Sequence, residues 1–494
     1  MPSANQDTVD ELTALVADDY PRDLEGANRT VRRFTIFSII FSACPCAALA
    51  CLALATARLG PIGAWSSGML YLTYTLSSVL GATYVVKRLG GRNAMMLGMS
   101  LYVVYVACFW MAVAFPQIKG VSAISGAFIG GIGSGILWTA QGSYFTQAAE
   151  EHALYQGCEW ADCTSSLSGT FASIYLLEET ILHVSSYFLI QWWNVEWSAI
   201  FASYAAIAVA STVGMLWVKN YPTSRKRSDV GDSIWNKVMA ALNLLHKDRK
   251  MRYLVGINMV FGFSGAFINS FVSGQVLRVA LQDEQSKTVG LFVSWGAGVA
   301  ALASLAFGKI THDYGKEPVM ILGNVAFLGV SLPFVLQPDL TKWTWPFLLL
   351  VYAFQGLGRA TFESTEKAVM ADFFPYEKEG AFANIILQNG VFGSIGYILT
   401  FSLTCSTLGP YCIEYRNGTL HDVLKFEVLV CLAAVLAILG YLRANHLYWK
   451  ERTARDSELK RYRVESISAY RLSQTGEAIE SAAQYLAMEG VEGI

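Results

Sequence analysis

Charge is what this chain has least of. Asp, Glu, Lys and Arg make up 15% of the 494 residues while hydrophobic residues make up 54%, against about 25% charged in soluble domains. A water-facing shell cannot be built from that composition, and the positive mean hydropathy agrees. The net charge of −2 points to no nucleic-acid partner, so the basic clusters read as orientation signals and lipid contacts. Alternation of apolar and polar residues with period two is missing, which excludes an outer-membrane barrel. The first thirty residues lack an apolar stretch and are acidic (Asp7, Asp10, Glu11, Asp18, Asp19, Asp23, Glu25), so no cleavable signal peptide is expected. No nucleotide loop, metal triad or nucleophile elbow occurs; the expectation is a non-enzyme without cofactor or metal. Cys158, Cys163 and His152 match no standard zinc spacing. Cys44, Cys46, Cys51, Cys108 and Cys431 fall within apolar runs and Cys158 and Cys163 face the cytosol, leaving Cys405 and Cys412 as the one pair open to a disulfide.

What the chain has is long apolar runs. A bilayer core takes roughly 20 such residues per helix, and twelve runs begin near Phe34, Ile62, Ala94, Val121, Ser165, Val195, Met251, Lys287, Pro318, Thr344, Gly380 and Val423, the last ending near Leu442. The expected fold class is an all-α membrane protein with twelve transmembrane helices. Most of the 36 Lys and Arg lie in alternate loops and in the tail after Arg443, which places both termini in the cytoplasm, in the plasma membrane or an endomembrane. The organisation expected is a cytoplasmic tail (1–33), a six-helix bundle (34–218), a cytoplasmic linker (219–250), a second six-helix bundle (251–444) and a cytoplasmic tail (445–494). In the linker, Ile234, Trp235, Val238, Met239, Leu242 and Leu245 form one apolar stripe, fitting a helix that lies on the membrane or packs under the bundle. Asn417 in Asn417-Gly418-Thr419 is a glycosylation sequon on the outer side. Tyr485-Leu486-Ala487-Met488 fits a permissive sorting pattern.

The halves repeat. The shift that lays GLGRATFESTEK (from Gly356) on GIGSGILWTAQG (from Gly131) also lays Gly315 on Gly90. Beyond the fourth run the register changes, FANIILQN (from Phe382) matching FASIYLLE (from Phe171), so the loop between the fourth and fifth runs is longer than its counterpart. Six spans plus six around a charged connector is the plan of a transporter made of parallel repeats.

GIGSGILWTAQGSYFT, GLGRATFESTE and AFANIILQNGVFGSIGY together resemble the uncoordinated-93 branch of the major facilitator superfamily, over about Phe34 to Leu442. The resemblance implies the major facilitator fold of two six-helix bundles. It also implies a divided function, because members share a transporter fold but are known largely as channel-regulating or receptor-trafficking proteins. Two motifs depart from the pattern. Arg359-Ala360 and Glu363-Ser364-Thr365 stand where members tend to have Asp-Ala and Asn-Thr-Gln, and the facilitator loop motif is eroded in KRLGGRN and THDYGKE.

The tenth run carries Arg359, Glu363, Glu366 and Lys367. At about 100° per residue, with Arg359 at zero, these sit at ~40°, ~−20° and ~80°, on one face. Facing lipid unpaired, each would cost about 2.5–3.5 kcal/mol, so the face is expected to meet a wet cavity or partners, or to end at the cytoplasmic interface. Partners are available in the fifth run, where Glu179 and His183 are i,i+4 neighbours able to share a proton or a hydrogen bond; adjacent Glu178 points ~100° away, although it is Glu178 that the repeat aligns with polar Asn389. In facilitator folds the first, fourth, seventh and tenth helices line the central cavity, so the resemblance sets Trp138, Thr139 and Gln141 opposite the charged face, with Gln388 and Asn389 adding polar groups. Alternatively, Gly131, Gly133 and Gly135 simply allow close packing and Gln141 is interhelical glue. The function expected is transport of a small polar solute or ion by alternating access through these residues. The alternative is a non-transporting subunit that regulates an ion channel or escorts a membrane receptor.

Overall fold

Helices follow wherever the apolar runs extend, and they end where the backbone is forced to turn. Gly90 and Gly315, aligned by the internal repeat, both terminate helices with left-handed φ of 80° and 83°, a conformation that side chains with a Cβ rarely adopt. A computed structural model describes residues 23–157, 160–221, 242–374, 378–403, 412–414, 420–422, 425–455 and 457. In chain order its helices are α1 Leu24–Leu59, α2 Pro61–Ser77, α3 Thr83–Leu89, α4 Gly91–Ala114, α5 Lys119–Gln156, α6 Trp160–Trp193 and α7 Trp197–Gly214. They continue as α8 Arg249–Ala266, α9 Leu277–Ala280, α10 Val289–Tyr314, α11 Glu317–Leu336, α12 Trp345–Ala360, α13 Lys367–Phe373 and α14 Lys378–Ser402, with α15 at Lys425–Arg455. Three wide π-helical segments join neighbours end to end: Ser78–Ala82, Phe267–Val276 and Thr361–Glu366. A short antiparallel pair, Cys412–Glu414 with Leu420–Asp422, sets Ile413 opposite His421.

Among the described residues, nine helical stretches are long and apolar enough to cross a membrane, so the chain is a multi-pass membrane protein. The helices carrying Glu179 and Arg359 are outside those nine. Helices extend past the expected apolar runs in three places. The first helix starts at Leu24 rather than near Phe34, because Asp23 caps it by accepting from the Gly26 N–H. The extended loop between the fourth and fifth runs is largely helical, since α5 continues to Gln156 and α6 starts at Trp160. The last helix runs on to Arg455. Of the expected linker helix, positions 242–247 are helical and the preceding stripe lies outside the described residues. So do the Asn417 sequon, Cys405, Cys158, and the sorting pattern.

Within Met1–Tyr441, α1 packs on α6, α7 and the Phe267–Val276 segment, α2 on α5 and α14, α6 on α10, α8 on α14, and α10 on α12. The interior is aromatic: Phe37 lies between Phe41 and Tyr144 in one cluster, and Phe267 touches Phe271, Phe334 and Phe426 in another. Leu302 and Leu305 on α10 stay exposed, as lipid-facing side chains do.

Candidate functional site: an ion pair inside the bundle

The chain approaches the site on glycine. A Cβ on Gly356 would collide with the Gly296 carbonyl of α10 and lie 3.1 Å from Val299, and one on Gly358 would come within 2.5 Å of the Phe327 ring. These two residues let α12 sit flush between α10 and α11, fixing Arg359 just beyond the contact. The helix then widens into the π-helical segment Thr361–Glu366, where Phe362 stacks on Phe261 of α8 at 3.5 Å and the Ser364 hydroxyl donates to the Ala360 carbonyl at 2.6 Å.

Arg359 meets Glu179 of α6 in a fork. Nη1 donates to Oε1 and Nη2 to Oε2, both at 2.7 Å, the bidentate geometry that makes a guanidinium–carboxylate pair strong and directional. The Glu179 side chain is 4% exposed and that of Arg359 19%, so the carboxylate is sealed while the guanidinium retains some access. Around the pair lies an apolar cluster of Tyr175, Leu176, Ala300, Phe307 and Ala360. At such low polarity, separating the two charges costs far more than it would in water.

The remaining charged residues do not join this pair. Lys367 donates to Glu363 at 2.9 Å within the helix, its side chain 47% exposed. Glu366 is buried, and neither carboxylate oxygen has a partner. The expectation of one shared face is therefore corrected for Glu366: angles reckoned at about 100° per residue fail through a segment of i→i+5 hydrogen bonding, and Glu366 turns into the interior while Glu363 stays half-buried and Lys367 is exposed. His183 is fully buried with Nε2 4.0 Å from Glu179, too far for a hydrogen bond, and neither ring nitrogen has one. The expected Glu179–His183 hydrogen bond is thus absent; Arg359 occupies both oxygens instead.

Glu178 is half-buried beside Glu179 and its Oε2 has no partner. Trp138 sets its ring edge-on to Tyr175 at 5.7 Å and to Phe41 at 6.0 Å, packing on the apolar cluster that contains Ala360. Thr139 and Gln141 are partly exposed on the same helix. Gln388 is drawn elsewhere: it accepts from Asn258 Nδ2 of α8 at 2.9 Å and donates to Asn384 at 3.3 Å, a buried amide ladder between α8 and α14. Asn389 is partly buried, its Oδ1 unpartnered. No group of His, Cys, Asp and Glu among the described residues is arranged to hold a metal ion.

Several contacts escaped the sequence reading. Thr56 of α1 bonds Ser270 of the Phe267–Val276 segment at 2.9 Å. Lys316 holds Asp372 at 2.6 Å, tying the turn after α10 to the end of α13. At the end of α5, Glu151 takes Lys219 at 2.6 Å and the Tyr221 hydroxyl at 2.8 Å, and burial first, then this bond to a carboxylate, pushes the Tyr221 phenol up. For Lys316–Asp372 and Lys219–Glu151 opposite charges far apart in sequence were the only signal, and too many combinations satisfy it.

The arrangement has relatives. Nucleoside transporter NupG covers 85% of this chain and 99% of its own at TM-score 0.57 and 13% identity; the xylose transporter XylE from E. coli, partially occluded and inward open, covers 85% and 98% at TM-score 0.56 and 14% identity. These similarities make the fold that of major facilitator transporters. In sequence, the chain is similar to UNC93-like protein 3 of Arabidopsis thaliana, 21% identical over 73% of this chain and 78% of that protein, and to Protein unc-93 homolog A of Bos taurus, 21% identical over 74% and 84%. The family model described as ion channel regulatory protein UNC-93 matches residues 62–407, well over half the chain, and the protein belongs to the UNC-93 family.

Proposed function

We propose that this chain is a facilitator-type transporter of twelve transmembrane helices in two six-helix bundles (34–218 and 251–444), moving a small polar solute or ion by alternating access past the Arg359–Glu179 pair. The observation that carries the reading is the pair itself. It joins α6 to α12, one helix from each half, with a guanidinium 19% exposed; a group with donors left over inside a bilayer protein is where a polar solute or anion exchanges for a carboxylate. Glu178, Glu363, Lys367, Trp138, Thr139, Gln141 and Asn389 line that pathway, with His183 and Glu366 buried and Gln388 held in the amide ladder between α8 and α14. Both termini lie in the cytoplasm, which puts Asn417 outside; loss of a glycosidase-sensitive mass shift in Asn417→Gln tests that topology. The test of transport is flux into liposomes carrying the purified chain, using monovalent ions, nucleosides and pentoses as probes. The charge-free pair Arg359→Met, Glu179→Leu should abolish the flux at an equal reconstituted amount of folded protein, and an unchanged flux removes the role.

One observation favours a second reading, regulation of an ion channel or escort of a receptor. Glu179 is closed on both oxygens and nearly dry, as a structural lock would be. Affinity isolation from native membranes should then recover a stoichiometric membrane partner, and repeated recovery of the bare chain counts against it.

A further inference from the structure

The loop between α9 and α10 is built to hold on to the other half of the molecule. Gln282 and Ser286 take left-handed φ of 54° and 55°, unusual for side chains with a Cβ, and Asp283 closes the turn by accepting from the Thr288 N–H and hydroxyl, both at 2.7 Å. The bent loop presents one backbone oxygen, that of Gln285, to two donors at once: Arg58 Nη1 from the end of α1 and Trp197 Nε1 from the start of α7, each at 3.1 Å. Arg58 also lies over the Trp197 ring, 4.9 Å from its centroid. Ser286, buried, donates to the Ala57 carbonyl at 3.3 Å. Next to Ala57 on α1, Thr56 bonds Ser270 at 2.9 Å, and Gly274 comes so close that a Cβ there would be 2.7 Å from Thr56 Cγ2. All these contacts fasten α1 and α7 to the loop and to the π-helical segment preceding it. Beside them is an open cleft of about 470 Å³ bordered by Arg58, Asn194, Glu196, Trp197, Gln285 and Lys287.

We infer that the Gln285 carbonyl, held by Arg58 and Trp197, is a latch whose release lets the Phe267–Ala280 segment part from α1 and opens that end of the molecule. The π-helical segment Phe267–Val276 is the hinge, its hydrogen bonds already shifted from the α register. The latch does not require that any solute be moved: it is tested without solute, so its failure and the failure of the transport reading are separate results.

The experiment is hydrogen exchange, followed by mass spectrometry, on the full chain in lipid nanodiscs, comparing the wild type with Arg58→Gln and Trp197→Phe. Exchange should rise at least tenfold across both 281–288 and 267–280. It should fall around Lys316 and Asp372, whose ion pair sits at the far end of α10, as that end closes. A rise confined to 281–288, or no rise, overturns the latch and leaves a loop anchor. Because Arg58→Gln could disturb folding, an Ala57→Cys, Ser286→Cys pair provides the opposite perturbation. Oxidised, it should slow exchange at 267–280 at least tenfold relative to the same protein reduced; equal rates overturn the inference.

Discussion

Replacing Arg359 by Met strands a carboxylate in the apolar interior. The Glu179 side chain is 4% exposed and both its oxygens are spent on the guanidinium, so the variant leaves it only His183, 4.0 Å away. Breaking a buried pair by removing one partner costs about 3–5 kcal/mol, and Arg359→Met should fall in the upper part of that range. Glu179→Gln leaves Arg359, 19% exposed, with water within reach and an amide oxygen still accepting, so its loss should be smaller, about 2–3 kcal/mol. The double variant Arg359→Met, Glu179→Leu removes both charges and keeps the volume. It should recover to within about 1 kcal/mol of wild type, because replacing both members of a buried pair by apolar groups is often neutral. Thermal unfolding in detergent, followed by tryptophan fluorescence, reads the series, with the coupling taken from the double-mutant cycle. Additive losses in the double variant would refute the reasoning, since two residues that do not interact cannot rescue one another. The same double variant separates the functional readings: a folded protein without flux supports a solute role for Arg359, and a folded protein that still recovers a membrane partner supports the lock.

Other substitutions read other parts of the structure. Glu366→Leu should stabilise the protein by about 1–3 kcal/mol, because an unpartnered buried polar group is replaced by an apolar one of similar size; a lowered melting temperature would mean that the carboxyl is needed where it is. Gly356→Ala should destabilise by about 1–3 kcal/mol through overpacking against the Gly296 carbonyl, whereas Gly142→Ala, with nothing within 4 Å, should stabilise by about 0.5–1 kcal/mol on helix propensity; equal effects at the two sites would contradict the packing. Cys44, Cys46 and Cys51 are buried and should resist a membrane-impermeant maleimide in the folded protein and react after denaturation, which tryptic mass mapping distinguishes.

How much of this was legible in the sequence depends on the range of the interaction. Helices were legible because apolar length and glycine punctuation are local properties, and the helix ends at Gly90 and Gly315 fall where the repeat aligned them. The repeat carries a physical meaning as well. Gly131 abuts Leu70 and Thr73 of α2, and Gly356 abuts Gly296 of α10, so each marks a helix crossing too tight for a Cβ, which is the close-packing reading of the motif. What was not legible was anything set by a departure from regular geometry. The π-helical segment at Thr361–Glu366 leaves no mark in the hydrophobic pattern, yet it is what separates Glu366 from its charged neighbours. Arg359 and Glu179 lie 180 residues apart, and composition cannot choose Glu179 over Glu178; the fork geometry chooses, because only one of two residues ~100° apart on a helix can bring both oxygens to α12. His183 loses its expected hydrogen bond for the same reason: a guanidinium with two aligned donors outcompetes an imidazole 4.0 Å away. A charge placed in a span announces that a partner exists, and only the packing of the helices says which one.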